Sequence, residues 1–170
     1  MSPTPTLISL CPVSVCRLKA LNDHIGRKAA DLTPQPPLAQ YTELPWVSLS
    51  AFVNRAFEMA ANDRNRPRPE KGLIFFDRGL VDAAVALQHA TGQSALDLLQ
   101  SYRRYHQQVF LTPPWREIYV NNDGRQHDFG EAVAEYDRLR AAYTELAYDT
   151  IVLPKTSVSK RAEFLLGELR

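Results

Sequence analysis

Glycine is scarce in this chain. It has seven glycines in 170 residues, where about 12 would be typical of that length. Only Gly26 precedes Gly72. Proline is in excess, at 12, and seven of these (Pro3, Pro5, Pro12, Pro34, Pro36, Pro37 and Pro45) precede Trp46. The first quarter is therefore poor in the residue that builds phosphate-binding turns and rich in the one that blocks helices and sheet interiors. Cysteine is nearly absent. Cys11 and Cys16 are spaced for neither a CxxC redox pair nor a four-ligand zinc site, and read as free thiols of a cytoplasmic protein. The net charge is only +1, which disfavours a dedicated nucleic-acid binder and gives no long-range attraction to an anionic membrane. No apolar run approaches the ~18 residues of a membrane span. Leu7–Val15 is interrupted by Pro12 and lacks the flanks of a signal peptide. There is no GxxxxGK[ST] loop, GxSxG elbow, HExxH pair or dinucleotide fingerprint. A catalytic aspartate of the haloacid-dehalogenase kind is also missing, because Asp77 has no second Asp two residues on.

What remains is ordinary globular material, with 45% hydrophobic and 23% charged residues, enough for one domain. Residues 1–45 are weakly patterned. Leu7–Leu10 and Val13–Val15 are candidate short strands, and Val15–Ala30 is an irregular candidate helix. Signals sharpen after Pro45. Ser48 or Ser50 can cap a helix through Phe52, Ala56, Phe57, Met59 and Ala60, with Asn62–Lys71 as an exposed linker. Leu73–Phe76 is a short apolar run that suits a strand buried on both faces, Val109–Leu111 is a second short strand, and Thr150–Leu153, closed by Pro154, is a third. Between them, Val81–Ala90 is helical up to the Thr91-Gly92-Gln93 break. Ser94-x-x-Asp97 starts a helix continuing through Leu96, Leu99 and Tyr102, with Arg103, Arg104 and His106 at its end, where the helix dipole favours cations. Asp128 and Glu131 form a capping box opening a long helix with Val133, Tyr136, Leu139, Tyr143 and Leu146 on its apolar stripe; Tyr136 and Tyr143 are expected in the core. A last helix buries Val158, Ala162, Leu165 and Leu169. Strands alternating with helices predict an α/β fold with a parallel sheet.

Ligands of such sheets bind outside the carboxyl ends of the strands. Asp77-Arg78-Gly79 falls there. Asp77 could hold a metal ion or accept a proton, Arg78 could clamp an anion, and Gly79 could turn the backbone away. Equally, Asp77 could cap the following helix, with Arg78 in a surface ion pair. Trp115–Asp128 is a candidate lid carrying Arg116, Arg125 and His127, with Asn121-Asn122-Asp123-Gly124 as a turn. Arg125 could reach a phosphate at the sheet edge or stand as a solvated loop arginine.

Several strings occur together and in order: Leu44-Pro45-Trp46, GLIFFDRGLVD (Gly72–Asp82), YHQQVFLTPPWREIY (Tyr105–Tyr119), Arg125–Tyr136, and Tyr148–Leu169. In this combination, residues 44–170 resemble bacterial predicted AAA-type P-loop ATPases, small kinase-like domains related to the ribosylnicotinamide kinase part of NadR. The resemblance implies a P-loop NTPase-like three-layer fold, ATP and Mg²⁺ as ligands, a small-molecule acceptor, and kinase or ATPase activity. It makes Asp77 and Arg78 the acidic–basic pair facing acceptor or metal, Arg125 the lid arginine over the transferred phosphate, and Arg116 and Arg125 the nucleotide-binding residues. Such groups suit phosphoryl transfer, which is mostly positioning and charge neutralisation. The stretch that should carry the first strand, glycine loop and helix is Leu7–Leu21, and its chemistry departs from that pattern. Pro12 removes a donor, and Lys19 lacks both a preceding glycine and a following hydroxyl residue. Residues 1–43 thus stand as an atypical segment, diverged or frameshifted, before a family domain at 44–170. The expected function is that of a family member with impaired nucleotide chemistry, the alternative being a non-enzymatic pseudo-NTPase that binds a protein partner or itself.

Overall fold

The computed structural model describes residues 6–12, 48–65, 73–119 and 128–169. In chain order these form β1 (Thr6–Pro12), α1 (Leu49–Asn65), β2 (Leu73–Asp77), α2 (Leu80–Thr91), the short α3 (Ala95–Leu99), β3 (Gln108–Thr112), a 3₁₀ turn (Arg116–Ile118), α4 (Phe129–Glu145), β4 (Asp149–Val152) and α5 (Val158–Glu168). The four strands make one sheet in the order β2-β1-β3-β4, and every neighbouring pair is parallel. A parallel α/β sheet is what the alternation of strands and helices predicts.

The strand expected at Leu7–Leu10 is present and sits inside the sheet. Leu10 is in register with Asp77 on one side and Phe110 on the other. The second candidate strand, Val13–Val15, and the candidate helix at 15–30 lie outside the described residues.

Period-two alternation distributes the strand side chains between two apolar clusters. Ile74, Phe76, Val109 and Leu111 pack with residues of α1, α2 and α4. Phe75, Phe110 and Ile151 pack with Ala162 and Leu165 of α5. Both sheet faces are therefore covered, which is why β2 and β3 read as continuous apolar runs. Each fully buried side chain of this kind contributes about 1.5–3 kcal/mol.

The helix ends are set by local chemistry. Ser48 Oγ accepts from Ala51 N–H at the start of α1. Gly92 closes α2 in the left-handed region (φ 80°), its N–H donating to Gln88 O. Ser94 Oγ accepts from Asp97 N–H. At α4, Asp128 Oδ1 accepts from Glu131 N–H at 2.8 Å while Glu131 Oε2 accepts from Asp128 N–H at 3.0 Å, a complete capping box. The expected stripe of α4 is buried at Tyr136, Leu139 and Tyr143, and that of α5 at Ala162 and Leu165.

Two local expectations are corrected. α1 runs to Asn65 rather than stopping near Ala60, so Arg64 belongs to its last turn and not to an exposed linker. There its guanidinium donates to the carbonyls of Arg103 and Arg104 at 2.9 and 3.1 Å. α3 is also shorter than expected. It ends at Leu99, and Arg103, Arg104 and His106 lie in the connection to β3 rather than on a helix. Of the expected apolar stripe, Leu96 is 42% exposed, whereas Leu99 and Tyr102 are half-buried against the core. Arg104 instead serves the end of α4, donating to Leu146 O at 2.6 Å.

Candidate functional site

The carboxyl ends of β1, β2 and β3 define one edge of the sheet, because all three strands run parallel. Pro12 pairs with Thr112 there, two residues past the level of Asp77. Asp77 is the last residue of β2. Its Oδ1 is buried and makes no hydrogen bond among the described residues. Burial raises its pKa above the ordinary 3.8; the neighbouring Arg78 opposes that shift and Asp82 adds to it. A carboxyl group held in this way at a strand end is a recognised signature of functional sites.

The turn that follows differs from the one expected. Arg78, not Gly79, takes the left-handed conformation (φ 60°), while Gly79 is ordinary extended backbone at φ −91°. Asp77 does not cap α2 either. Asp82 does so from within the helix, its Oδ2 accepting from Gly79 N–H at 2.8 Å. The same oxygen accepts from the Tyr143 hydroxyl of α4 at 2.8 Å. Leu80 N–H donates to the Tyr105 hydroxyl at 2.9 Å, and Tyr105 N–H donates to the Tyr148 hydroxyl at 3.2 Å. Burial pushes the Tyr105 phenol up to about 12, so it stays protonated. Asp77 is thereby left out of helix capping, and its turn is held by Asp82 of α2 and by Tyr105 of the connection before β3.

Arg116 lies in the 3₁₀ turn after β3, its guanidinium 5.0 Å from the centre of the Phe129 ring. Tyr119 packs edge-on to the same ring, and its hydroxyl donates to Asp128 O at 3.1 Å. The structure thus brings Asp77 and Arg78 together and sets Arg116 against the start of α4. Because β1 lies between β2 and β3, their ends are about 10 Å apart. Arg125 and His127 lie outside the described residues, as does the Asn121–Gly124 turn.

Asp82, Tyr105, Tyr143 and Arg161 have roles that sequence reasoning missed. The three-residue step from Gly79 to Asp82 is a helix-start spacing that could have pointed to Asp82. Arg161 is only 8% exposed and lies 5.9 Å from the Trp115 ring; nothing local marks it.

Whether ATP and Mg²⁺ suit this edge can be judged group by group. Asp77 has the chemistry of a cation ligand, although the described residues contain no group of three or more side chains able to hold a metal ion. The triphosphate is poorly matched. A phosphate cradle is a nest of consecutive N–H donors directly after a strand. Here β1 ends on Pro12, which has no N–H, and Val13 to Lys19 include no glycine. The sequence after β1 therefore offers no glycine-built nest.

A family model described as "AAA domain" matches residues 30–161, well over half of the chain. No curated protein and no solved structure matches it. Among the described residues no helix is long and apolar enough to cross a membrane.

Proposed function

We propose that this chain, which belongs to the AAA-domain family, keeps the acceptor side of a nucleotide-binding P-loop site and lacks the phosphate-wrapping side. The family is one of nucleotide-binding P-loop proteins, and the parallel sheet with covered faces is compatible with that fold. The observation that carries the reading is the contrast along one sheet edge. Asp77 is poised with an unengaged oxygen at the end of β2, whereas β1 ends on a proline followed by a glycine-free stretch. On this reading Asp77 faces the acceptor or a metal ion and Arg78 an anionic group beside it. Arg116 and Arg125 form the cationic side, and nucleotide chemistry is impaired. The likeness to NadR-type small-molecule kinases belongs to this proposal too.

The test is binding of a fluorescent ATP analogue with Mg²⁺, combined with phosphate release. The expected result is no saturable binding below millimolar nucleotide and no turnover. Micromolar binding with turnover that vanishes in Arg125→Ala would instead establish a working kinase or ATPase with a non-standard loop.

One observation favours the second reading, an interaction domain without catalysis. Leu49, Phe52 and Met59 are exposed on α1 at 49%, 41% and 38%, spaced so that they share a helix face. Self-association that is lost in Phe52→Glu would support it.

A further inference from the structure

A half-open cleft of about 270 Å³ lies between the start of α2, the short α3 and the end of α4, built from side chains other than Asp77, Arg78 and Arg116. It is lined by Leu80, Val81 and Leu99 and by Tyr102 and the largely buried Tyr105 and Tyr148. The walls are preformed, since Tyr105 is tied through its hydroxyl to Leu80 N–H and through its own N–H to Tyr148. Gln100, Arg103 and Arg104 also line it, and among the described residues no carboxylate does.

The two arginines differ. Arg104 stacks 4.3 Å from the Tyr148 ring and donates to the carbonyls of Leu146 and Ala147, so its charge is present but much of its donor fork is engaged. Arg103 is fixed by its backbone, whose carbonyl accepts from Arg64. Its side chain is exposed, and among the described residues it makes no ion pair. Among the described residues, one guanidinium fork is therefore without an ion pair at a cleft lined by tyrosines, and Arg104 lines the same cleft.

We propose that this cleft binds a small molecule with a flat apolar body and a single carboxylate, in other words an aromatic monocarboxylate. A planar carboxylate matches one guanidinium fork to fork. A ring between tyrosine edges gains from offset and edge-to-face contacts. The volume is near the lower limit of ligand pockets, about 300 Å³, which restricts the occupant to fragment size. This site needs no nucleotide, so it stands apart from the preceding proposal.

The test titrates the full chain with 3-phenylpropionate and with its neutral isostere 3-phenylpropanamide, followed by amide NMR shifts. The expected result is saturable shifts at Leu99, Gln100 and Tyr102 with the acid, binding about tenfold tighter than the amide, a gap of about 1.4 kcal/mol. Arg103→Gln, a substitution at an exposed side chain, should erase that gap while leaving the amide's affinity unchanged. Equal affinity for acid and amide, a gap that survives Arg103→Gln, or shifts confined to other parts of the molecule would each overturn the proposal.

Discussion

Arg78 sits at φ 60°, where a residue with a Cβ is strained by about 1–2 kcal/mol. Arg78→Gly should therefore be neutral or stabilising by up to about 1 kcal/mol, and Arg78→Val destabilising by about 1–2 kcal/mol, both measurable by denaturant titration. An arginine at a conformation that favours glycine is a place where local preference yields to the surrounding contacts. Asp77 is similar. Its folded-state pKa is raised above the ordinary 3.8, mainly by burial. As pH rises from that value through the raised one, the folded chain holds a proton that the unfolded chain has released, so stability falls across that window and stays lower above it. Asp77→Asn should flatten this fall and raise the melting temperature at pH 7; thermal melts from pH 3 to pH 8 check it. The place of Asp77 at the end of β2 was legible because an apolar run gives way there to a charge pair and a glycine. Which residue turns the chain was not, since that depends on Asp82 and Tyr105 gripping the turn from outside it.

Helix starts and strands were the most legible elements. The Ser94–Asp97 and Asp128–Glu131 caps and the Gly92 stop follow from chemistry within four residues. The errors occurred where a distant partner decides. α1 extends to Asn65, with Arg64 of its last turn reaching carbonyls 39 and 40 residues away, and α3 stops at Leu99, four residues before the first of those carbonyls. The junction of α2 and α4 is similar, with Asp82 and Tyr143 separated by 61 residues. Tyr143 fits the apolar stripe of α4, and only the structure shows its hydroxyl at work. Hydrogen bonds to carboxylates are worth about 1.5–3 kcal/mol. Tyr143→Phe should therefore lower the melting temperature by roughly 3–12 °C and loosen the start of α2, visible as faster amide exchange at Gly79 and Leu80.

At the level of the whole molecule, the sheet depends on its first strand. β1 lies between β2 and β3 and pairs with both. Deleting residues 1–12 should abolish the cooperative melt, because two ladders are lost and both strand edges are exposed. A sharp transition retained by the truncated chain would show that β2, β3 and β4 suffice. The membership of one α/β sheet was legible from alternating elements. The place of β1 was not, since seven residues ending in proline look no more like a sheet centre than an edge. The order β2-β1-β3-β4 also has a consequence for synthesis. Leu10 emerges from the ribosome long before Asp77 and Phe110, its two neighbours. At about 5–20 residues per second, β1 spends several seconds as a nascent strand with neither side paired. In this chain the strand that pairs on both sides is made before either neighbour, so folding has to wait for translation rather than proceed alongside it.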